Sequence, residues 1–507
     1  MKEKKTTDAA VKKRNLYFII IAVCVLLLAA VMMTISCGET QTDAKDTTTS
    51  GDSTNTSAPE TETYLSGLDF DGRKITLFCT DYEATCAFDN MYVESEIGDV
   101  VNDSIYEKNK YVEELLNVTL DFIEHDFNYG DKDVMYNSVR TSVMSDSEPY
   151  NITLIPTYFT STLIAEGIMA DLNEMPYLDM SKEWWSQGYR QNAEIDGKIY
   201  MAAGDGVLPF ITGFFGIAVN KDLAKENGIE DVYSVVNDGK WTIDKMYDMS
   251  KRIYRDLNGN GEYDDKDQYG LEALHANFII PFLIAGAGEV FTRNGDSFDY
   301  SFGSERVIDI YSKVFTMLHD KESTLKISKN VENDIRSDSA FVEGRVLFTL
   351  INLNDTMYFR ETPFEYGILP YPKFDEAQKS YRTMSSNGLV TFSVPVTSEG
   401  DEAVGAVIEA MGYAGNKYTT PAYFETALKI KYAHDNETAQ MLDLMKNSEY
   451  TSVAGMFAAS IEQPENDWGF TLWDAKKDGT WASAAEKKKD KIMTKLETFI
   501  EAVKSAG

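Results

Sequence analysis

The sequence has few cysteines and few histidines. Four cysteines in 507 residues exclude a fold held together by disulfides, and none of the four histidines is spaced with a cysteine as zinc ligands are. Cys79 and Cys86 are close enough in sequence to form a small disulfide in an exported protein, and two independent thiols are the alternative. We therefore expect neither a disulfide scaffold nor a zinc site.

Basic residues are scarce relative to acidic ones. The chain has 48 Lys and Arg against 82 Asp and Glu, which gives a formal net charge of -34. Such a charge repels nucleic acid and anionic membrane surfaces. It favours a solvated surface, and it favours cation binding wherever carboxylates converge. We therefore expect no nucleic-acid partner.

Common catalytic motifs are also missing. The sequence contains no GxSxG elbow, P-loop, HExxH or Cys/His pairing. A pair of carboxylates suited to glycoside hydrolysis is nearly guaranteed by chance among so many acidic residues, so such a pair decides nothing. The sequence favours a protein that is not an enzyme, and a secreted glycoside hydrolase is the alternative.

The first 37 residues have the pattern of an export signal. Six basic residues precede residue 15, and a nearly unbroken apolar run over residues 16–35 ends at Ser36-Cys37-Gly38. Cys37 is the predicted lipidation site of a lipoprotein, although Thr34 stands where Leu is expected. The apolar run is long enough to span a bilayer, so an uncleaved signal anchor is the alternative. Both predictions place the rest of the chain outside the cytoplasmic membrane.

Residues 38–64 are rich in Thr, Ser, Asp and Gly and are predicted to be a disordered tether. After residue 73 strand and helix patterns alternate: strands near 74–79, 118–122 and 150–156, with helices near 101–116 and 131–145. This order predicts an α/β fold with a mostly parallel sheet covered on both faces. Ligands bind at the carboxyl ends of strands in such sheets, which points to Tyr82, Tyr158 and Phe159.

Residues 197–223 are predicted to form a hinge. Residues 199–201 and 215–219 have strand patterns, and Gly204 and Gly206 between them tolerate backbone angles that other residues avoid. Asn220 is predicted to cap a following helix. The alternative is an ordinary buried strand pair inside one domain.

Residues 256–267 have the spacing of a calcium loop. Oxygen-bearing residues alternate along the loop, and Gly261 falls at the position of the sharp turn. The predicted metal ligands are Asp256, Asn258, Asn260, Glu262 through its carbonyl, Asp264 and Asp267. The loop resembles EF-hand or dockerin-type loops, with Asp267 where a bidentate Glu is usual. We predict a structural calcium ion, and an acidic surface turn without metal is the alternative.

Several segments resemble, in the same order, the extracellular solute-binding proteins of bacterial carbohydrate ABC importers, the family 1 proteins related to maltose-binding protein. DGKIYMAAGDG and GIAVNKDL at 196–223 resemble the segment that carries the chain between lobes. SAFVEGRVLFTLI at 339–351 and YGILPYPK at 366–373 resemble later segments. The resemblance covers roughly residues 70–505.

The resemblance implies a type II periplasmic-binding-protein-like fold, with two α/β lobes joined by hinge crossings and a ligand cleft between them. Lobe 1 is expected at 65–208 plus about 380–430, and lobe 2 at about 209–379 plus about 431–507. It also implies a lipid-anchored monomer that captures a sugar or oligosaccharide and delivers it to ABC permease subunits. A non-sugar solute and a sensory receptor module are the alternatives.

A sugar site needs flat aromatic rings and planar hydrogen-bonding groups in a cleft. The predicted ligand-binding residues are Tyr82, Tyr158, Phe159, Asp205, Asn352, Asn354, Trp468 and Trp473. Each of them has an ordinary alternative, a core aromatic ring or a capping side chain. Trp184 and Trp185 are expected to pack in the interior.

Overall fold

The computed structural model describes residues 64–506 except 82–87, 127–128, 146–148, 296, 328–338, 361, 389 and 430–435. Residues Ala58–Gly507 form one compact unit, and the other unit, residues 1–57, lies outside the described part. The predicted export segment, the tether up to residue 63, Cys37, Tyr82 and Cys86 also lie outside it. Within the described residues, no helix combines the length and the apolar character that crossing a bilayer requires.

Strands and helices alternate along most of the chain. The strands are β1 (Arg73–Asp81), β2 (Val118–Asp126), β3 (Ile152–Pro156), β4 (Phe215–Asn220), β5 (Tyr269–Ala273), β6 (Phe291–Asn294), β7 (Ser297–Tyr300), β8 (Thr324–Lys326), β9 (Val346–Asn352), β10 (Tyr366–Leu369) and β11 (Val390–Ser393).

The helices of the first half are α1 (Val100–Leu116), α2 (Lys132–Met144), α3 (Thr157–Ala165), α4 (Gln187–Ala193), α5 (Leu208–Thr212), α6 (Lys221–Glu226), α7 (Val232–Asn237) and α8 (Ile243–Ser250). Those of the second half are α9 (Ile280–Ala285), α10 (Glu305–His319), α11 (Glu402–Ala414), α12 (Thr420–Lys429), α13 (Asn436–Asn447), α14 (Val453–Met456), α15 (Pro464–Asp474) and α16 (Trp481–Ala506).

The first sheet has the strand order β11-β3-β1-β2. β1 is parallel to both β2 and β3, and β11 pairs antiparallel with β3. The middle of β1 is buried, as expected for a strand covered on both faces. The strands predicted near 74–79, 118–122 and 150–156 are therefore confirmed.

Helix α1 shows how the sequence sets the bounds of these elements. The Asp99 carboxylate accepts from the backbone N–H groups of Val101 and Asn102 at 3.1 and 3.0 Å, which begins the helix. Asn117 adopts a left-handed conformation and ends it. The apolar face includes Ile105 and is buried, which confirms the helix predicted from residue 101 to 116.

The second sheet has the strand order β10-β4-β9-β5-β8. β5 is parallel to β8 and β9, whereas β4 is antiparallel to β9 and β10. Asn220 caps α6 by accepting from the Leu223 N–H at 2.9 Å, and Thr242 caps α8 by accepting from the Lys245 N–H at 3.2 Å. The predicted Asn220 cap is confirmed. α8 ends at Ser250.

Three segments connect the two sheets side by side. The first runs from Gly204 into β4, the second joins β10 to β11, and the third follows α13. Backbone hydrogen bonds join them: Phe215 N–H to Met384 O at 2.9 Å, Ser386 N–H to Gly213 O at 3.0 Å, Thr383 N–H to Ser448 O at 2.8 Å, and Tyr450 N–H to Thr383 O at 2.8 Å. The hinge therefore consists of three adjacent crossing segments.

The end of the chain contacts both sides of the hinge. Helix α14 packs on α3 and α4, which flank the first sheet, whereas α15 packs on α9 and α10 beside the second. Strands of the first sheet come from residues 73–156 and 390–393, and strands of the second from residues 215–369. The limits of the two lobes stay a prediction.

One sequence-based expectation differs from the structure. Residues 199–201 form no strand, and Ala202 alone pairs with Phe392 of β11. Thr157 begins helix α3 directly after β3. Cys79 is buried in β1 as a free cysteine, which agrees with the alternative of independent thiols.

Candidate functional site

A cavity of about 580 Å³ lies beside the three crossing segments. Its wall includes Tyr158, which follows the first sheet's β3, and Phe215, which begins β4 of the second sheet. Met384 and Asn387 of the second crossing form its floor. Because elements from both sheets meet here, a molecule in this cavity contacts both sides of the hinge at once.

Three aromatic rings face this cavity. Tyr158 lies in the first turn of α3, and its backbone N–H donates to Asn387 O at 3.0 Å, which ties it to the second crossing. Phe215 is nearly buried, whereas Phe470 on α15 is 41% exposed, unusually open for a phenylalanine. The edge of the His275 ring supports Phe470 at a centroid distance of 5.7 Å. Phe470 is therefore the aromatic surface most available to a ligand.

The polar side of the cavity comes from the start of α15. Gln463, Asn466, Asp467 and Phe470 line it, at a spacing that places them on one helix face. Gln463 has φ 52°, and the preceding Glu462 has φ 73°. Two consecutive non-glycine residues in the left-handed region are strained, a cost that the surrounding structure must offset. This backbone reversal aims the first turn of α15 into the cavity.

Amide groups dominate the hydrogen-bonding atoms of the wall. Asn466 donates to the Gln463 side-chain oxygen at 3.1 Å, and Asn387 donates to Gly455 O at 3.2 Å. Asn277, which lies in a short helical turn packed against α15, also lines the cavity. Amides offer a donor and an acceptor in one plane, a pattern that suits adjacent hydroxyl groups.

Two carboxylates, Glu462 and Asp467, complete the wall. The Lys491 ammonium donates to Glu462 at 2.6 Å and holds the pKa of that carboxyl below its usual range. The Lys488 ammonium donates to Asp467 at 2.5 Å. Among the described residues that line the cavity there is no Lys or Arg.

Of the predicted ligand-binding residues described by the structure, only Tyr158 lines this cavity. Phe159, its neighbour, is 1% exposed and packs edge-on against Tyr136 in the core. Tyr82 lies outside the described residues.

The two predicted tryptophans lie on α15 but away from the cavity wall. Trp468 has no exposed surface and packs edge-on against Tyr311. Trp473 is partly buried, with the Lys326 ammonium over its ring at 4.6 Å. Their roles in binding stay predictions, and Phe470 between them is the aromatic residue that the helix presents to the cavity.

Asn352 and Asn354 lie where β9 ends and a short helical turn, Leu353–Phe359, begins. The Asn352 N–H donates to the Asp355 carboxylate at 2.8 Å, which makes it part of a cap. Neither asparagine lines the cavity of about 580 Å³. The position of Asn352 fits its capping alternative, and the roles of both asparagines in ligand binding stay predictions.

Asp205 is fully buried at the first crossing. Its carboxylate accepts from Asn416 at 2.7 Å, from Thr420 at 2.9 Å and from the Lys446 ammonium at 2.7 Å. It borders a second, smaller cavity of about 150 Å³, together with Trp184. Asp205 therefore joins α12 and α13 to the hinge, and a role in ligand binding stays a prediction.

Sequence reasoning missed most of the wall. Asn277, Asn387, Gln463 and Asn466 carry no motif, and amides are common on any surface. Phe470 lies inside the segment NDWGFTLWDA, where the tryptophans drew attention as larger rings. The helical period counted from Pro464, the first residue of α15, would have placed Phe470 on the same face as Asn466.

The predicted calcium loop has a compact arrangement. The Asp256 carboxylate accepts from the Gly261 N–H at 2.9 Å, which holds the sharp turn, where Gly261 has φ 73°. The side-chain amides of Asn258 and Asn260 both donate to the Asp264 carboxylate, at 2.9 and 2.8 Å. The amide oxygens of the same two asparagines accept from the Asn260 N–H at 3.0 Å and the Glu262 N–H at 2.7 Å, so the loop is closed by its own hydrogen bonds.

One predicted ligand of this loop, Asp267, is placed differently. Asp267 is buried and accepts from Leu257 N–H and the Tyr254 hydroxyl, each at 3.1 Å, so it closes the loop at its base. The Glu262 N–H donates to Asn260 at 2.7 Å. Across the described residues, no three His, Cys, Asp or Glu side chains converge as a metal site. Calcium in this loop stays a prediction.

Two sheets packed against helices, joined by three adjacent crossing segments with a cavity beside them, define a two-lobed binding protein of the type II periplasmic-binding-protein-like fold. The sequence profile described as bacterial extracellular solute-binding protein matches residues 123–418, more than half of the chain. The chain belongs to this family, as its resemblance to maltose-binding-protein-like sequences predicted. Comparison with curated proteins gave no match.

Solved structures with the same fold are distant in sequence. The GacH receptor of Streptomyces glaucescens GLA.O, solved unliganded and with acarbose, is 14% identical with a TM-score of 0.52, covering 83% of this chain and 98% of that one. Lmo0181 from Listeria monocytogenes, in complex with cycloalternan, is 12% identical with a TM-score of 0.51, covering 84% and 100%. UgpB from Mycobacterium tuberculosis, in complex with glycerophosphocholine, is 12% identical with a TM-score of 0.52, covering 78% and 95%. At these identities the likeness shows the fold alone.

Proposed function

We propose that this protein is a surface-anchored lipoprotein that captures a sugar or oligosaccharide and delivers it to the permease of an ABC importer. The observation that carries the proposal is the cavity of about 580 Å³ at the hinge, which combines the exposed Phe470 ring with the amides of Gln463 and Asn466. A flat ring matches the apolar face of a pyranose, and planar amides match pairs of hydroxyls.

Capture works by closing the hinge. A ligand that contacts Tyr158 on one side and Phe470 on the other binds the closed form more tightly than the open form, and it shifts the population by that difference in affinity. Three short crossing segments absorb the rotation between the two sheets. The permease then recognises the closed form.

The family and the neighbouring structures support this proposal in part. The GacH receptor was solved with acarbose and Lmo0181 with cycloalternan, both at a hinge fold of this kind. UgpB, with the same fold, was solved with glycerophosphocholine, so the fold also serves a solute that is not a sugar. A non-sugar solute and a sensory module are therefore the second candidates, and a glycoside hydrolase is the third.

The anchor is proposed from the sequence. Lipidation of Cys37 would hold the protein on the outer face of the cytoplasmic membrane, and an uncleaved signal anchor is the alternative. Mass spectrometry of the mature N-terminus distinguishes them: a diacylated Cys37 supports lipidation, whereas an intact Met1 supports the uncleaved anchor. A Cys37→Ala variant should lose the lipid and be released from membranes if the first is correct.

We further propose a structural calcium ion in the loop of residues 256–267. Asp256, Asn258, Asn260 and Asp264 would supply hard oxygen ligands, and the ion would fix the loop that leads from α8 to β5. It has no catalytic part in this proposal. Addition of calcium after chelation should raise the thermal unfolding temperature.

A thermal-shift panel tests the proposed function. The protein is screened against neutral oligosaccharides and glycerophosphodiesters, and the solutions are then analysed for sugar cleavage. A ligand present at about 100 times its dissociation constant stabilises the folded state by about 2.7 kcal/mol. A shift with an intact oligosaccharide supports the proposal. A shift with the phosphodiesters alone supports the non-sugar alternative, and cleaved sugar supports the hydrolase.

A further inference from the structure

The C-terminal helix α16 lies against both walls of the cavity. It packs on α3, which carries Tyr158, and on α15, which carries Phe470. Its buried face includes Ile492, Leu496 and Phe499, and the Phe499 ring stacks near Phe457 at 4.9 Å. This packing fixes the position of the α16 backbone beside the cavity.

One row of these side chains is basic and faces the acidic wall. Lys488, Lys491 and Lys495 are three and four residues apart, so they lie along one edge of the helix. Lys488 donates to Asp467 at 2.5 Å, Lys491 donates to Glu462 at 2.6 Å, and Lys495 lies 3.8 Å from the second Glu462 oxygen. Each wall carboxylate thus has a lysine partner.

This pairing has two consequences for a bound molecule. A carboxylate held by an ammonium group still has lone pairs that accept from ligand hydroxyls, and the ion pair fixes its orientation. At the same time its negative charge is balanced, so it attracts a cationic ligand group less than a lone carboxylate would.

We propose that Lys488, Lys491 and Lys495 are positioning residues that set the charge preference of the cavity. They hold Asp467 and Glu462 as acceptors for the hydroxyls of an uncharged ligand, and they cancel the attraction of these carboxylates for an amine-bearing one. This inference rests on the proposed function, because it concerns the ligand of the same cavity.

The pairs are partly open to solvent, which limits the size of the effect. Side-chain exposure is 46% for Asp467 and 35% for Lys488. Ion pairs at such positions are screened by water and salt. We expect removal of one lysine to change the ratio of the two affinities by about two- to fivefold at low salt, and by less at high salt.

The experiment compares two sugars on the full chain in detergent. The first is the neutral oligosaccharide that gives the largest shift in the panel above, and the second is the same oligosaccharide with one hydroxyl replaced by an amine. Calorimetry gives both dissociation constants for the wild type, Lys488→Met, Lys491→Met and the conservative Lys488→Arg. Lys487→Met is the matched control, because Lys487 is exposed on the same helix and forms no ion pair with either wall carboxylate.

In both Met variants we expect the affinity for the amine-bearing sugar to rise relative to the affinity for the neutral sugar. Lys488→Arg and Lys487→Met should keep the wild-type ratio of the two affinities. If the lysines had a purely structural role, their removal would weaken binding of both sugars equally. An unchanged affinity ratio in the Met variants, with normal sugar binding by the wild type, therefore overturns this inference alone. A change in the Lys487→Met control equal to that in Lys488→Met also overturns it. Failure of every sugar to bind overturns the proposed function and this inference with it.

Discussion

Glu449 is a buried carboxyl on the third hinge crossing, and it should make stability depend on pH. Its side chain accepts from the hydroxyls of Ser186 and, at 2.5 Å, Thr451, and its backbone pairs with Thr383 of the second crossing. Burial disfavours the charged form and raises the pKa of Glu449 from 4.5 to about 7. The two hydroxyl groups offset only part of this effect.

The direction of this pH dependence follows from the number of protons bound in the folded and unfolded states. Between pH 4.5 and 7 the folded protein keeps the Glu449 proton, whereas the unfolded chain has lost it. The stabilisation is therefore complete below pH 4.5 and is lost as pH rises through about 7. A rise of this size in the pKa corresponds to about 3 kcal/mol, an upper value for one group.

Urea unfolding at pH 5 and pH 8 measures this effect. We expect wild type to lose about 3 kcal/mol more free energy of unfolding between these pH values than Glu449→Gln does. Glu376→Gln, at an exposed position, is the control and should behave as wild type. Comparing variants removes the contribution of Glu465, a second buried carboxyl whose pKa burial raises to about 7. An equal loss in Glu449→Gln and wild type would refute the reasoning.

Two further changes test the cavity and the loop. Phe470→Ala should weaken binding of the panel sugar about three- to tenfold by calorimetry, because stacking on an exposed ring is lost, while Trp473→Ala, off the cavity wall, should not. The reverse order would return the stacking role to Trp473. Asp256→Ala combined with Asp264→Ala should abolish the calcium-dependent rise in unfolding temperature, and a rise that survives the double change places the ion elsewhere.

The sequence was sufficient for strands β1 to β4 and for the first hinge crossing. The continuous apolar run of β1, the alternating apolar residues of β2, capping side chains such as Asn220 and the glycine-containing segment at Gly204 are local signals, and each has its expected place. Gly204 has φ 157°, and a Cβ there would meet the Trp184 carbonyl at 2.2 Å. The third crossing carries no such signal, because its pairing with Thr383 depends on a segment far away in sequence.

The cavity could not be predicted to the same extent. Large aromatic residues predict buried surface, and Trp468 is buried, but the sequence does not say whether a ring faces the core or a cavity. The wall depends on two left-handed residues, Glu462 and Gln463, whose conformation is imposed by the packing around them. Phe470 gains its exposure from that backbone reversal, not from its own sequence neighbours.

The central claim is that a sugar closes the two sides of the hinge on each other. Spin labels at Met144→Cys, on the side of the first sheet, and Leu257→Cys, on the side of the second, report the distance between them; both positions are exposed, at 83% and 52%. The native cysteines are replaced by serine. We predict that the oligosaccharide which stabilises the protein shifts the label distances to a single, different distribution and is recovered intact. Binding that leaves the distances unchanged would contradict capture by hinge closure.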